Sequence, residues 1–412
     1  MLSAACTLFL LSLAQSVVTT SSQQNALLLP PQSPSVFVHP GVFVSAQQLS
    51  FVRAQVQAGT QPFATAYEKA LKSFFAKITW EPLGPPASGV IECGFYSNPD
   101  IGCTNESFDA TAAYLQAVLF YVNGTRAYAD NALRLINTYA AGLREYNNSN
   151  APLQAAWSTL KWARVADLLR AEPELAIGNV TRMFYNVAMP HIGECWRAGG
   201  NWDISMIEGV LGVAVFSENS TLFENALSRW RARIPVAFYY EPADGPTPRP
   251  PVCGTDSRFN GQTVFNASTS GINGETCRDL GHSFYELSSA FNGAETARIQ
   301  GVDLYEEEGP RLARAAEFMA NLWPPFGAWS SPETTPAFMC NGTGVHRGDA
   351  KAPTSYALDT LEVARTALAV RKGFSLPLSL DYVETYTRRD NHTSMWFMSV
   401  FETLTHGGAT LP

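Results

Sequence analysis

Arg278, His282 and Tyr285 in "CRDLGHSFYEL" place a cation, a titratable imidazole and a phenol on one short stretch of chain. On a helical period of about 3.6 residues they fall at i, i+4 and i+7, which predicts a shared face. A guanidinium that binds a carboxylate, beside two groups able to carry protons, is equipment for taking a proton from a carbon next to an acid group. A plainer arrangement fits the same residues: His282 pairing with Glu286 one turn on, and Tyr285 filling the core.

A second stretch, "ECWRAGGNWDISMIEG" over 194–209, puts Asn201 and Trp202 after two glycines at an expected helix start. An amide and indoles in one loop suit recognition of a sugar, whose ring stacks on aromatic faces, although Asn201 also fits as a simple N-cap. On the helix "LQAAWSTLKWARVADLLR", Trp157 and Lys161 are spaced i, i+4 and are candidates for binding a sugar and a carboxylate. Tyr96, between Cys93 and Cys103, is a candidate lid residue. His39, His191, His346, His392 and His406 lack metal-ligand spacing, so no metal or other cofactor is expected.

The elements that must position these groups read as helices. Apolar periodicity predicts one or two helices over 45–77, then helices over 110–122, 128–143, 153–170, 179–189, 201–216, 221–233, 276–291, 309–322, 355–372 and 394–406. Thr276 and Asp279 form a T-x-x-D pattern that places one helix start near Thr276, with Arg278 in its first turn. A cation there calls for an anion, either Glu275 or a ligand carboxylate. Two long segments, 81–105 and 240–274, read as loops. A helix ending "FYVNGT" followed by "AYADNALRLI" is echoed by "FSENST" followed by "LFENALSRW". Repeated helical hairpins of this kind favour an all-α, α/α toroid, an incomplete α/α barrel around a central cleft.

The first 20 residues read as a secretory signal, with an apolar run and Ala14-Gln15-Ser16 as the cleavage tripeptide. A Pro-rich lead (21–44) and a single domain (45–412) follow. Sequons begin at Asn105, Asn123, Asn147, Asn179, Asn219, Asn266, Asn341 and Asn391. Once Cys6 leaves with the signal, Cys93, Cys103, Cys195, Cys253, Cys277 and Cys340 form an even set. Disulfides are therefore expected, Cys93–Cys103 first because they bracket one loop. These features predict a secreted, extracellular glycoprotein. No segment after the signal is long and apolar enough to span a bilayer. A net charge of −8 argues against nucleic acid and membrane surfaces as partners. It also requires any polyanionic substrate to be met by a local cationic site. A monomer is expected.

The order "DATAAYLQAVLFYVNGTRAYADNALRLI", "GGNWDISMIEGVLGVAVF", "CRDLGHSFYEL", "APTSYALDTLEVARTAL" and "WFMSVFETLTHGG" resembles the alginate-lyase-type polysaccharide lyases, from about Asp109 to Gly408. The resemblance implies an α/α toroid that cuts acidic polysaccharides by metal-independent β-elimination. It implies that Asn201, Arg278 and a histidine neutralise the uronate carboxylate and that Tyr285 handles protons. The family often carries His after the loop asparagine. This chain has Trp202 there, and His282 becomes the substitute neutraliser or base.

Elementary chemistry agrees. The C5 proton of a uronate is too weakly acidic until its carboxylate is neutralised, which Arg278 and Asn201 would supply. Tyr285, with an ordinary pKa of about 10, needs nearby positive charge to serve as base. A neutral imidazole such as that of His282 needs none. Sequence alone leaves both assignments open. Two rivals stand beside the lyase: an inverting α/α-barrel glycoside hydrolase using carboxylates such as Asp203, Glu275 and Asp279, and a non-catalytic secreted carbohydrate-binding protein.

Overall fold

Four helices carry almost no exposed surface along their length, and their sequence explains why. In α3 (Cys103–Asn123), α5 (Ala151–Leu168), α8 (Gly200–Phe216) and α11 (Leu280–Ile299), small and apolar residues predominate, and charged ones such as Glu106, Lys161, Arg164, Glu208 and Glu295 are buried among them. A helix apolar all round belongs in an interior. By contrast α4 (Arg126–Gly142), α9 (Ser220–Ala237) and α12 (Leu304–Leu322) bury one stripe and expose the other. The result is two layers: α3, α5, α8 and α11 pack in sequence as an inner wall, with α4 outside α3, α9 outside α8 and α12 outside α11.

The computed structural model describes residues 36–95, 97–194, 200–252, 259–323, 327–331, 333–345, 359–388 and 401–408. The expected signal, much of the lead, and Tyr96, Cys195, Cys253, His346, Asn391 and His392 lie outside them. Within the described residues the all-α toroid expectation is met. Before the inner wall come α1 (Ala46–Gln57) and α2 (Phe63–Lys72). Between α5 and α8, α6 (Ile177–Arg182) runs through a π-helical stretch, Met183–Ala188, into α7 (Met189–Ile192). After α9 comes one turn, α10 (Glu241–Asp244). The last helices are α13 (Thr360–Ala364), which packs on α11, α14 (Pro377–Tyr382), which packs on α12, and α15 (Glu402–His406), which returns to α1 and α2.

Side-chain contacts fix the direction of the inner helices. Gln154 near the start of α5 donates to the Cys103 carbonyl at the start of α3, 3.1 Å away. Ser205 in α8 and Ser289 in α11 meet at 3.3 Å. Contacts rise together along each neighbouring pair, Leu168 meeting Tyr121 further up α5 and α3, Gly209 and Gly212 of α8 meeting Ala156 and Ala163 of α5, and Gly293 of α11 meeting Leu211 of α8, so the four inner helices run parallel and begin at one end of the toroid.

Three expectations are corrected. The segment 81–105 is not only loop: β1 (Val90–Phe95) and β2 (Asn98–Ile101) pair antiparallel, and β3 (Glu145–Asn147) adds to β1 in parallel. The alternation in "VIECGF" is short, and β3 comes from far along the chain, so only tertiary pairing completes the sheet. The helix expected from Thr276 begins at Leu280, because Thr276 is used in a turn: its hydroxyl donates to Asn273 Oδ1 at 2.8 Å. It also runs on to Ile299. Finally, 377–387 is helical although no helix was expected there, α14 passing into a π-helical stretch.

Two cysteine bridges can be placed, the expected Cys93–Cys103 and a second, Cys277–Cys340, whose pairing the sequence left open. Cys93–Cys103 ties the β1–β2 hairpin to the first turn of α3, and Cys277–Cys340 anchors the residue just before Arg278.

Candidate functional site at the start of the inner helices

Asp279 sets the geometry at the start of α11. Its backbone is extended and its carboxylate accepts from the His282 amide at 2.8 Å, the side-chain cap that the first free N–H groups of a helix require. The second oxygen lies 2.6 Å from His282 Nδ1. Burial would raise the Asp279 carboxyl, but hydrogen bonding and charge from His282, with help from Arg278, hold it below its ordinary value. An ionised carboxylate only accepts, so Nδ1 carries the proton and Nε2 is the nitrogen able to take one.

Arg278 differs from the sequence expectation. It lies in the turn before the cap, not on the helix, so it does not share a helical face with His282 and Tyr285. It reaches the same place through the acids. Its guanidinium is 3.6 Å from Glu275 Oε2 and 4.0 Å from Asp279 Oδ2, and the side chain remains 35% exposed. Neither contact is a short bidentate pair, which leaves donor capacity on the guanidinium.

Tyr285, one turn beyond His282, is 6% exposed. Its ring packs edge-on against Trp157 of α5 at 5.3 Å and against His282 at 5.8 Å. Trp157 and Trp202 are both half-buried and packed on the core.

Asn201 enters from α8 and is fully buried. It is the second residue of that helix, not its cap. Its Nδ2 donates to Glu275 Oε1 at 2.9 Å and its backbone N–H to the same oxygen at 3.2 Å. Asn201 Oδ1 is buried with no hydrogen-bond partner among the described residues. Contacts therefore run without a break from Asn201 through Glu275, Arg278, Asp279, His282 and Tyr285 to Trp157.

Lys161 is the clearest correction. It is 1% exposed and donates to the Ser107 carbonyl at 3.2 Å and Thr111 Oγ1 at 2.9 Å. Burial drags its pKa down to about 7, with Glu106 opposing. It is an interior residue between α3 and α5, not a surface hook for a sugar acid. Asp203 is likewise committed elsewhere, bridging Arg229 at 3.0 Å and Arg233 at 2.8 Å on α9.

Sequence reasoning offered Glu275 as a partner for Arg278, which it faces at 3.6 Å, but missed its contact with Asn201 and the hold of Asp279 on His282. Asp279 stood next to His282 in a readable i, i+3 relation. The Glu275–Asn201 contact spans 74 positions and carries no local signal. Among the described residues no group of three or more His, Cys, Asp or Glu is arranged to hold a metal, and no helix is long and apolar enough to cross a membrane. Asn105, Asn147, Asn179, Asn266 and Asn341 are exposed. Asn123 and Asn219 are half-buried, each donating its amide to a tyrosine hydroxyl.

No family model matches the sequence, and no curated protein matches it. Solved structures do. Alginate lyase A1-III with a histidine-to-alanine substitution, in complex with a tetrasaccharide, matches with a TM-score of 0.59 at 18% identity, over 89% of this chain and 95% of that one. The crystal structure of alginate lyase A1-III from Sphingomonas species A1 gives 0.55 at 18%, over 90% and 97%. An alginate lyase from Bacteroides ovatus gives 0.55 at 12%, over 88% and 99%. Across nearly its whole length the chain has the α/α-toroid fold of these alginate lyases.

Proposed function

We propose that the protein is a secreted polysaccharide lyase that cleaves a uronic-acid-containing polymer of alginate or glucuronan type by metal-independent β-elimination. The observation that carries this reading is the unbroken run of contacts joining Asn201, Arg278, His282 and Tyr285 at one end of the toroid. The fold shared with alginate lyases, one of them holding a tetrasaccharide, supports it.

In this mechanism Arg278 and the Asn201 amide bind the uronate carboxylate and spread its charge, so that the C5–H bond becomes acidic. His282 Nε2 takes the C5 proton. Asp279 on the opposite nitrogen stabilises the imidazolium that forms. The electron pair of the broken C–H bond becomes the C4–C5 double bond as the C4–O bond breaks, and Tyr285 gives its phenolic proton to the departing oxygen. Trp157 and Trp202 supply stacking surfaces, and Tyr96 a lid. The Cys93–Cys103 and Cys277–Cys340 bridges fit an oxidising, extracellular setting. The exposed sequons fit a glycosylated surface, and the protein acts as a monomer.

The hydrolase alternative needs two available carboxyl groups, and the candidates are engaged: Asp203 with two arginines, Glu275 with Asn201, Asp279 with His282. Incubation with a panel of uronic-acid polymers tests the proposal. Ultraviolet absorbance should grow as unsaturated ends form. New reducing ends without absorbance would indicate hydrolysis, and binding without turnover a carbohydrate-binding protein.

A further inference from the structure

We infer that Glu275 is a positioning residue, the carboxylate that holds Asn201 and Arg278 in register for the reaction; this rests on the lyase reading given above. Neither group comes from a place that would fix it unaided. Asn201 stands in the buried first turn of α8 and Arg278 in a turn ahead of α11, so the two must be aligned between neighbouring helices. Glu275 stands between them. One oxygen accepts from the Asn201 backbone at 3.2 Å and from its Nδ2 at 2.9 Å, while the other faces the Arg278 guanidinium at 3.6 Å.

The position of Glu275 is itself built. The residue is 4% exposed. Its amide lies 3.2 Å from Glu286 Oε2 and 3.3 Å from Asn273 Oδ1, and Asn260 Nδ2 approaches Oε2 at 3.5 Å. Gly200 makes the approach possible. It has φ of +61°, and a Cβ there would stand 2.1 Å from Glu275 Oε1. The glycine before Asn201 is the space into which the carboxylate fits.

The distances rank the two contacts. Those to Asn201 are hydrogen bonds and that to Arg278 is not, so the acceptor role outweighs the charge. Because an acceptor-only group faces Nδ2, the Asn201 amide cannot flip without setting oxygen against oxygen. Nδ2 is then held toward Glu275 with its second N–H as the donor that a ligand carboxylate needs, while Oδ1, an acceptor, has a fixed direction.

The test compares Glu275→Ala, Glu275→Gln and Gly200→Ala in kcat and KM on whichever uronate polymer the unaltered protein cleaves, with crystal structures of the variants. Glu275→Ala should lower kcat about 30-fold or more, with KM moving less than about threefold. Glu275→Gln, which keeps an acceptor for Asn201, should recover most of that loss. Gly200→Ala should reproduce the loss by pushing the carboxylate away. A Glu275→Ala enzyme with normal kcat, or a Glu275→Gln enzyme as slow as Glu275→Ala, overturns the inference. If Glu275→Ala does not fold, Glu275→Gln and Gly200→Ala decide alone: a fast Gly200→Ala enzyme overturns it. Should no polymer be cleaved by the unaltered protein, the lyase reading fails separately. The crystal structures then decide the positioning: an Asn201 side chain unmoved in Gly200→Ala or Glu275→Ala overturns it, and a displaced one supports it.

Discussion

Two arginine–glutamate pairs in this toroid show the difference between holding a fold and preparing a site. Arg164 and Glu208, on α5 and α8, meet at 2.5 Å with side chains 1% and 4% exposed, and Phe43 lies under the guanidinium at 4.0 Å. Arg278 and Glu275 stand 3.6 Å apart with the arginine 35% exposed. The first pair is buried in the interior, its charges facing each other. The second is loose and partly exposed, as the proposed binding of a ligand carboxylate requires. The histidines repeat the pattern. His282 is partly exposed beside Asp279, whereas His406 is fully buried against Phe43 at 4.4 Å.

The largest effect should come from the open pair. Arg278→Ala and Tyr285→Phe should each cut product formation by about 100-fold or more, measured by absorbance, with melting temperature little changed. Near-normal rates would erase the distinction. The closed pair should answer in the opposite coin. Arg164→Ala strands the Glu208 carboxylate in the interior and should cost about 3–5 kcal/mol in denaturant unfolding.

Asp279→Asn sharpens the comparison at the histidine. Asparagine caps a helix about as well as aspartate, so stability should hold. It no longer favours the imidazolium, and kcat should fall about 10- to 100-fold. A loss of stability in place of kcat would make Asp279 merely a cap.

The last effect is a pH slope. Burial pushes the His406 pKa down to about 3, with Glu295 opposing, so the folded state keeps it neutral. The unfolded chain protonates it below about 6.5. Between those values the unfolded state binds more protons, and stability should fall as pH drops. Glu295 adds to the slope lower down. Burial would raise it, but Arg371 and Arg298 hold it at about 2, so its contribution is lost as pH falls from about 4.5 toward 2. His406→Gln should flatten the upper part of the slope in thermal melts between pH 7 and about 4.

Much of this was legible in sequence because helices declare themselves locally. The 3.6-residue period marked the helices expected over 110–122, 153–170, 201–216 and 276–291, which overlap the four inner helices, and His282 and Tyr285 do share a face, their rings 5.8 Å apart. Asn201 was marked by the glycines before it, and Cys93–Cys103 by the loop they bracket. What sequence hid was tertiary. Arg278 falls outside the helix because Asp279, not Thr276, caps it. Lys161 reads as a solvated cation on an i, i+4 pattern, yet α3 closes over it. The third strand of the sheet comes from beyond α4, where no short-range pattern reaches.

The parallel run of the inner helices has a consequence for a chain of net charge −8. Peptide dipoles add along each helix to about half a positive charge at its start. Four such starts open on the same end as Arg278. A polyanion repelled by the molecule as a whole would meet, at that rim, a field drawing it in.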